Sequence, residues 1–284
     1  MVLPLLVLLA AHDPLDLDSI LDWDGAFDPI RAEAGPVPAQ DEAGKGSGGY
    51  RFLQRFAQDA AVVDLVWLEA RLRGQSFRSE VPDTDVYLLE PVFAVGLGGT
   101  LEGGLILRLL DVESDFDPFD DESGLGDTDV WAKIRILRDP LPLDFSVGAL
   151  LKLPTGDDDD GLGTGNADLE LFAAVRKALG PIEVSANAGV RFNGDLELPG
   201  PDLDGETSVL LGLGAAIWVN DQWALAAEMT LESERFDGAE EDVRITPQTE
   251  FRLTDFARIR LGVGFGLDDA SPDIEGIASL AVVF

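Results

Sequence analysis

The chain has no cysteine and one histidine, His12, among 284 residues. Without cysteine there is no disulfide framework and no thiolate metal site. With His12 as the only imidazole, neither a Ser-His-Asp site nor a His-ligated metal can be assembled in the interior. Basic residues are scarce too: 20 Lys+Arg face 54 Asp+Glu, a formal net charge of −34. Such a surface repels phosphate backbones, so nucleic acid is excluded as a partner. No uninterrupted apolar run reaches 18 residues, which excludes a transmembrane helix. An intrinsically disordered chain is excluded by composition, since 46% of residues are apolar.

What is present begins with an apolar run, MVLPLLVLLAA, over residues 1–11. It resembles the h-region of a secretory signal without its basic flank, so it is read as a signal-peptide remnant and the protein as exported. Residues 12–59 form an acidic, Pro/Gly/Ser-bearing extension. Within it, Tyr50–Asp59 places Phe52 and Phe56 at i and i+4, which predicts one or two helical turns. A surface helix and a small plug inside or beneath a barrel are both consistent with that stretch.

From residue 60 to 284 the hydrophobic period is two. Ile259, Leu261, Val263, Phe265 and Leu267 alternate with Arg258, Arg260, Gly262, Gly264 and Gly266. The same alternation recurs near 182–193, 223–234 and 243–253. About twelve such segments follow one another, each long enough to cross a bilayer when tilted. Their connections alternate between tight turns (98–100, 139–142, 178–181, 220–221, 254–255) and longer ones (73–85, 112–127, 154–166, 194–206, 235–242, 268–275). That plan predicts an all-β, up-and-down transmembrane barrel of about 12 antiparallel strands in the bacterial outer membrane. Short turns would face the periplasm, and the long connections, which carry roughly half of the acid, would face outside. Tyr87, Trp223, Phe192, Phe251 and Phe256 lie near strand ends, as interfacial girdles do. The chain stops on a strand at Phe284, a form read by barrel-insertion machinery.

If the apolar face meets lipid, the other face lines the lumen. The expected lining is Glu228 and Glu232 on one strand, Arg244, Glu250 and Arg252 on the next, and Arg258 and Arg260 on the one after. Arg191 and Lys152 lie on the opposite wall. Opposite charges on neighbouring strands predict cross-strand ladders. These either seal the interior, giving a structural or surface-interaction barrel, or line a wet path for a small solute. No catalytic group, cofactor or metal is expected.

Two motifs carry a family resemblance. Gly124-Leu-Gly-Asp127 is followed by Leu-Pro154-Thr155-Gly156-Asp157, then Gly161-Leu-Gly163-Thr164-Gly165 and Asp168. This series resembles the outer-membrane family named for the meta-pathway of phenol degradation, over roughly residues 120–284. The resemblance implies a transporter-like barrel for small, apolar or aromatic compounds, and brings no binding residues with it. On the residues alone, the glycines supply loop conformations that other residues avoid.

Overall fold

The computed structural model describes residues 50–78, 84–114, 121–137, 143–196 and 203–284. The apolar start and most of the acidic extension lie outside them. The described residues contain fourteen strand segments and no helix. In chain order these are β1 (Val66–Phe77), β2 (Thr84–Leu97), β3 (Leu101–Ile106), β4 (Leu109–Ser114), β5 (Glu122–Leu125), β6 (Thr128–Leu137), β7 (Asp144–Leu153) and β8 (Asp168–Leu179). They continue with β9 (Ile182–Phe192), β10 (Thr207–Asn220), β11 (Trp223–Glu232), β12 (Asp242–Arg252), β13 (Ala257–Gly266) and β14 (Ile274–Val283). Every pairing is antiparallel, and β1 pairs with both β14 and β2, which closes the sheet. β3 and β4 are two halves of one stave, as are β5 and β6, so the barrel has twelve staves.

The interruption of that third stave has a local cause. Leu107 donates its N–H to the Pro91 carbonyl at 3.0 Å, but Pro91 has no N–H to return. On the other side, β3 pairs with β6 and β4 with β5 in registers that differ by one residue. Gly126 and Asp127 occupy this bulge, which bends the stave and re-aims Asp127.

The sheet is inside-out by the standards of a soluble protein. Leu261, Val263 and Phe265 are exposed, while Arg258 and Arg260 on the same strand are buried. Ile245 and Phe251 are likewise exposed beside buried Gln248 and Glu250 on β12. An exposed belt of this kind is stable only against hydrocarbon, and closing the ladder leaves no strand edge unpaired there. At the short-turn end, the Trp223 and Phe251 rings stack with centroids 5.7 Å apart, and Phe256 and Phe284 are exposed near them.

Long and short connections alternate as the sequence pattern predicts. Residues 98–100, 180–181, 221–222 and 253–256 join strands at one end, and the longer connections gather at the other. Leu261 sits at the middle of β13 on the lipid-facing side. Leu261→Arg should therefore destabilise the barrel by about 2–4 kcal/mol, the cost of a charge near the bilayer midplane. Urea unfolding in lipid vesicles measures it.

Candidate functional site

The interior is occupied by the chain itself. Residues 50–63 lie within the barrel, and all except half-buried Gln54 are buried. The helical turns expected over Tyr50–Asp59 do not form; turns and bends take their place. The reason is where the segment's N–H groups go. Tyr50 N donates to Glu183 at 3.3 Å, Leu53 N to Gln248 at 3.1 Å, and Gln54 N and Arg55 N to the two oxygens of Glu228 at 2.9 and 3.0 Å. Val63 N donates to Glu102 at 2.7 Å. Barrel side chains supply the acceptors that a helix would have supplied from its own backbone.

The segment runs as a loop inserted from the short-turn end. Tyr50 sits beside Glu183 and Trp218, next to the turn at 180–181. The chain rises to Gln54, Arg55 and Gln58, which meet Glu228, Glu275 and Glu170. It then descends past Ser146, whose hydroxyl donates to the Ala60 carbonyl at 2.7 Å, to Glu102 near the 98–100 turn. Glycine makes room where the loop touches the wall: a Cβ on Gly96 would sit 1.5 Å from the Val63 carbonyl oxygen, and one on Gly214 2.4 Å from the Phe52 ring.

Two apolar islands grip this plug. Phe56, Ala57 and Val63 pack with Trp67, Trp131, Leu150 and Phe172 from the wall. Tyr50 and Phe52 pack with Ala216 and Ala224, and Trp218 and Ala226 lean against them. Burial pushes the Tyr50 phenol up, so it remains a donor to Gln248 at 3.1 Å. The guanidiniums of Arg51 and Arg71 lie over the Phe56 ring at 4.6 and 5.7 Å, a favourable contact in a desolvated setting. Trp67, Trp131 and Phe172 stand on the otherwise polar parity of their strands. That misplaced parity is the sequence signal for the plug's apolar seats.

All nine residues expected to line the lumen lie on the inward face. Glu228, Glu250, Arg258, Arg260 and Lys152 are buried, and Glu232, Arg244, Arg252 and Arg191 are half-buried. On the β6–β9 wall oppositely charged side chains of neighbouring strands pair. Lys152 meets Asp168 at 2.9 Å, Arg191 meets Glu170 at 2.8 Å, Arg135 meets Asp144 at 3.2 Å, and Arg176 meets Glu183. The ladder expected between β11 carboxylates and the β12 and β13 arginines does not form. Glu228 is taken by the plug backbone, and Glu232 by Arg191 and Arg235 at 2.8 and 3.3 Å. The arginines turn instead to Glu250 and to Glu69 and Glu275, which the sequence reading did not single out. Arg258 reaches Glu250 at 3.2 Å, Arg260 reaches Glu69 at 3.1 Å, and Arg244 lies 3.8 Å from Glu275.

Above the plug, on the long-connection side, is a cavity of about 370 Å³. Gln54 to Gln58 form its floor. Its walls include Arg71, Arg73, Arg108, Lys152, Arg191 and Arg244, with Leu88, Ile106 and Leu150 between them. The motif loops stand at its mouth, and Asp127 fastens them. Its carboxylate accepts the N–H of Gly156 at 3.1 Å and both the N–H and hydroxyl of Thr164 at 3.1 and 3.2 Å. Asp168 likewise accepts Gly194 N at 3.0 Å and pairs with Lys152 and Arg235. The G-L-G-D and L-G-T-G motifs are thus two halves of one tethered loop, with Gly161 and Gly165 at φ of 70° and 75°. Among the described residues no group of His, Asp and Glu is arranged to hold a metal ion.

Two outcomes follow. Asp127→Ala strands two backbone N–H groups, so loop 154–166 should become at least tenfold more sensitive to added protease while the barrel stays folded. Arg260→Ser leaves the buried Glu69 and Glu250 short of a partner. Urea unfolding should show a loss of about 3–5 kcal/mol, the cost of leaving a buried charge uncompensated.

The family described as "Putative MetA-pathway of phenol degradation" matches residues 60–284. No curated protein matches the chain. Among solved structures, an outer-membrane channel from Pseudomonas putida F1 is similar at 17% identity, covering 82% of this chain and 100% of that one, with a TM-score of 0.66. The KdgM porin, solved with disordered oligogalacturonate, is similar at 9% identity over 77% and 99% of the two chains, with a TM-score of 0.50. Identities this low carry the fold alone, and that fold is the outer-membrane barrel. The match over residues 60–284 and the Asp127-tethered loop motifs agree: the chain belongs to the phenol-degradation MetA-pathway family of outer-membrane barrels.

Proposed function

We propose that the barrel mediates passive transport of a small solute, admitted at the cavity above Gln54–Gln58 and passed on when residues 50–63 shift. The observation that carries this reading is the way the plug is held. Between its two apolar islands it is seated by hydrogen bonds and ion pairs to wall side chains, and each of those partners is a group that water can replace once the contact opens. Membership of the family and the barrel fold support it. A small apolar or aromatic body fits the Leu88, Ile106 and Leu150 patches of the cavity. The long acidic connections are read as the outer rim, the short turns as periplasmic, and the β14 end at Phe284 as the element that insertion machinery engages. Nothing in this reading needs an enzyme: the interior carboxylates are spent on guanidiniums and on plug N–H groups.

The second reading is a barrel that stays sealed and acts structurally or through its loops. Burial of nearly all of residues 50–63 favours it. The absence of native cysteine allows a direct test. Ser146 Oγ lies 2.7 Å from the Ala60 carbonyl, so Ala60→Cys with Ser146→Cys places two thiols at the plug–wall contact. In planar bilayers the oxidised pair should suppress discrete current steps at least tenfold, and reduction should restore them. Equal currents in both redox states would show that passage does not need plug movement. A folded, inserted protein with no steps in either state would favour the sealed barrel.

A further inference from the structure

The plug is not gripped equally on all sides. Its hydrogen bonds reach Glu102 on β3, Ser146 on β7, Glu170 on β8, Glu228 on β11 and Gln248 on β12. On β9 they reach only Glu183, beside the short turn at 180–181. Above Glu183 on the same inward face stand Ser185 and Asn187, both half-buried. Register surrounds them with small residues. Asn187 pairs with Ala174 on one side and Gly212 on the other, and Gly212 pairs with Thr230, which lines the cavity above the plug. The Asn187 amide lies against Gly212, where a Cβ would sit 2.6 Å from Nδ2. One row lower, Ser185 pairs with Gly214, over which the Phe52 ring rests. The Ser185 and Thr230 hydroxyls and Asn187 Nδ2 have no hydrogen-bond partner among the described residues, yet they are not enclosed; of these side chains only Asn187 Oδ1 is. Open polar groups of this kind inside a closed lumen are satisfied by water.

We propose that a narrow wet path runs past the plug on this side, from the cavity at Thr230 over Gly212 to Asn187, Ser185 and the short-turn mouth at Glu183. It carries water and small uncharged polar solutes while residues 50–63 stay seated. The solute class follows from the lining. Its middle offers a hydroxyl, an amide and glycine, and the charges at its two ends are already spent: Arg191 on Glu170 and Glu232, and Glu183 on Arg176. A neutral solute there exchanges hydrogen bonds with water for hydrogen bonds with Ser185 and Asn187. An ion would shed its hydration beside the Phe52 ring with no free opposite charge to meet it. Selection in such a path is by width and by hydrogen bonding. This path goes beyond the transport proposed above, because it needs no movement of the plug.

The test uses the full chain carrying Ala60→Cys and Ser146→Cys, oxidised so that the plug is fixed, and reconstituted in lipid vesicles. Heat-modifiable electrophoretic mobility certifies the fold of each variant. Swelling assays should show urea and glycerol entering faster than into empty vesicles, and sucrose at least tenfold more slowly than either. Asn187→Trp should cut glycerol entry at least tenfold. Ala186→Trp, on the lipid-facing side of the same strand, should leave it unchanged. A second measurement does not depend on a bulky substitution, since the native chain has no cysteine. In the unlocked barrel, Ser185→Cys and Asn187→Cys should react with methyl methanethiosulfonate at least tenfold faster than Ser146→Cys, which is sealed under the Ala60 carbonyl. No glycerol entry above empty vesicles would overturn the path. Equal entry in the two Trp variants, or equal reaction of the three thiols, would overturn its place along β9. Sucrose entering as fast as urea would overturn its narrowness. The redox dependence of ion current bears on the plug and not on this path, so the two readings fail separately.

Discussion

The structure depends on one requirement: a stretch of polypeptide without secondary structure is buried inside a barrel, and its amide groups must find partners. A buried unpaired N–H costs as much as a lost hydrogen bond. Glu102, Glu228 and Glu183 meet that demand from three sides of the lumen. Glu102 also receives Arg51, Lys133 and the Trp131 indole. The interior of this very acidic protein is therefore built with carboxylates as acceptors first and as counter-ions second. The arginines follow from that choice, because a buried carboxylate is tolerable only when paired.

This ordering explains which charges pair and which do not. A ladder between neighbouring strands would satisfy the wall and leave the plug unbound. With Glu228 committed to Gln54 and Arg55, Arg258 and Arg252 turn to Glu250, Arg260 reaches across β14 to Glu69 on β1 at 3.1 Å, and Arg73 on β1 meets Glu275 on β14 at 2.9 Å. The closing strands are thus joined by ion pairs as well as by the backbone ladder. The plug and the closure of the barrel are consequently coupled: the carboxylates that seat the one lie beside the arginines that tie the other.

Period-two patterning made the barrel, its strand count and its inward residues legible from the sequence, because lipid and lumen impose opposite demands on alternate positions. Arg258 and Arg260 against Leu261 and Val263 leave little room for another register. The motif residues were visible as a pattern, but the tether made by Asp127 was not, since it depends on a one-residue bulge between β5 and β6 that only the pairing with β3 and β4 reveals. The plug was least legible. Phe52 and Phe56 at i and i+4 read as a helix face, and local propensity has no access to acceptors that come from residues more than a hundred positions distant. The inward parity of Trp67, Trp131 and Phe172 was the available clue: large apolar side chains on a polar face need something apolar to cover.

The same chemistry that holds the plug also limits how firmly it can be held. In a dry apolar core, moving a segment exposes surface whose cost rises with every methylene, and no small molecule compensates for it. In a charged lumen, each broken contact between an amide and a carboxylate can be re-formed with water on both partners, so the net value of a bond is about 0.5–1.5 kcal/mol rather than its full strength. The Phe56–Trp67–Trp131 island anchors one limb of the loop against that exchange, with ring centroids 5.3 and 6.1 Å apart. The crest at Gln54 has no such anchor: it is half-buried, lines the cavity, and is held by polar contacts alone, its N–H on Glu228 at 2.9 Å and its side chain on Arg73 at 2.8 Å, Thr246 at 3.2 Å and Glu275. Each of these contacts is one that water can take over on both partners.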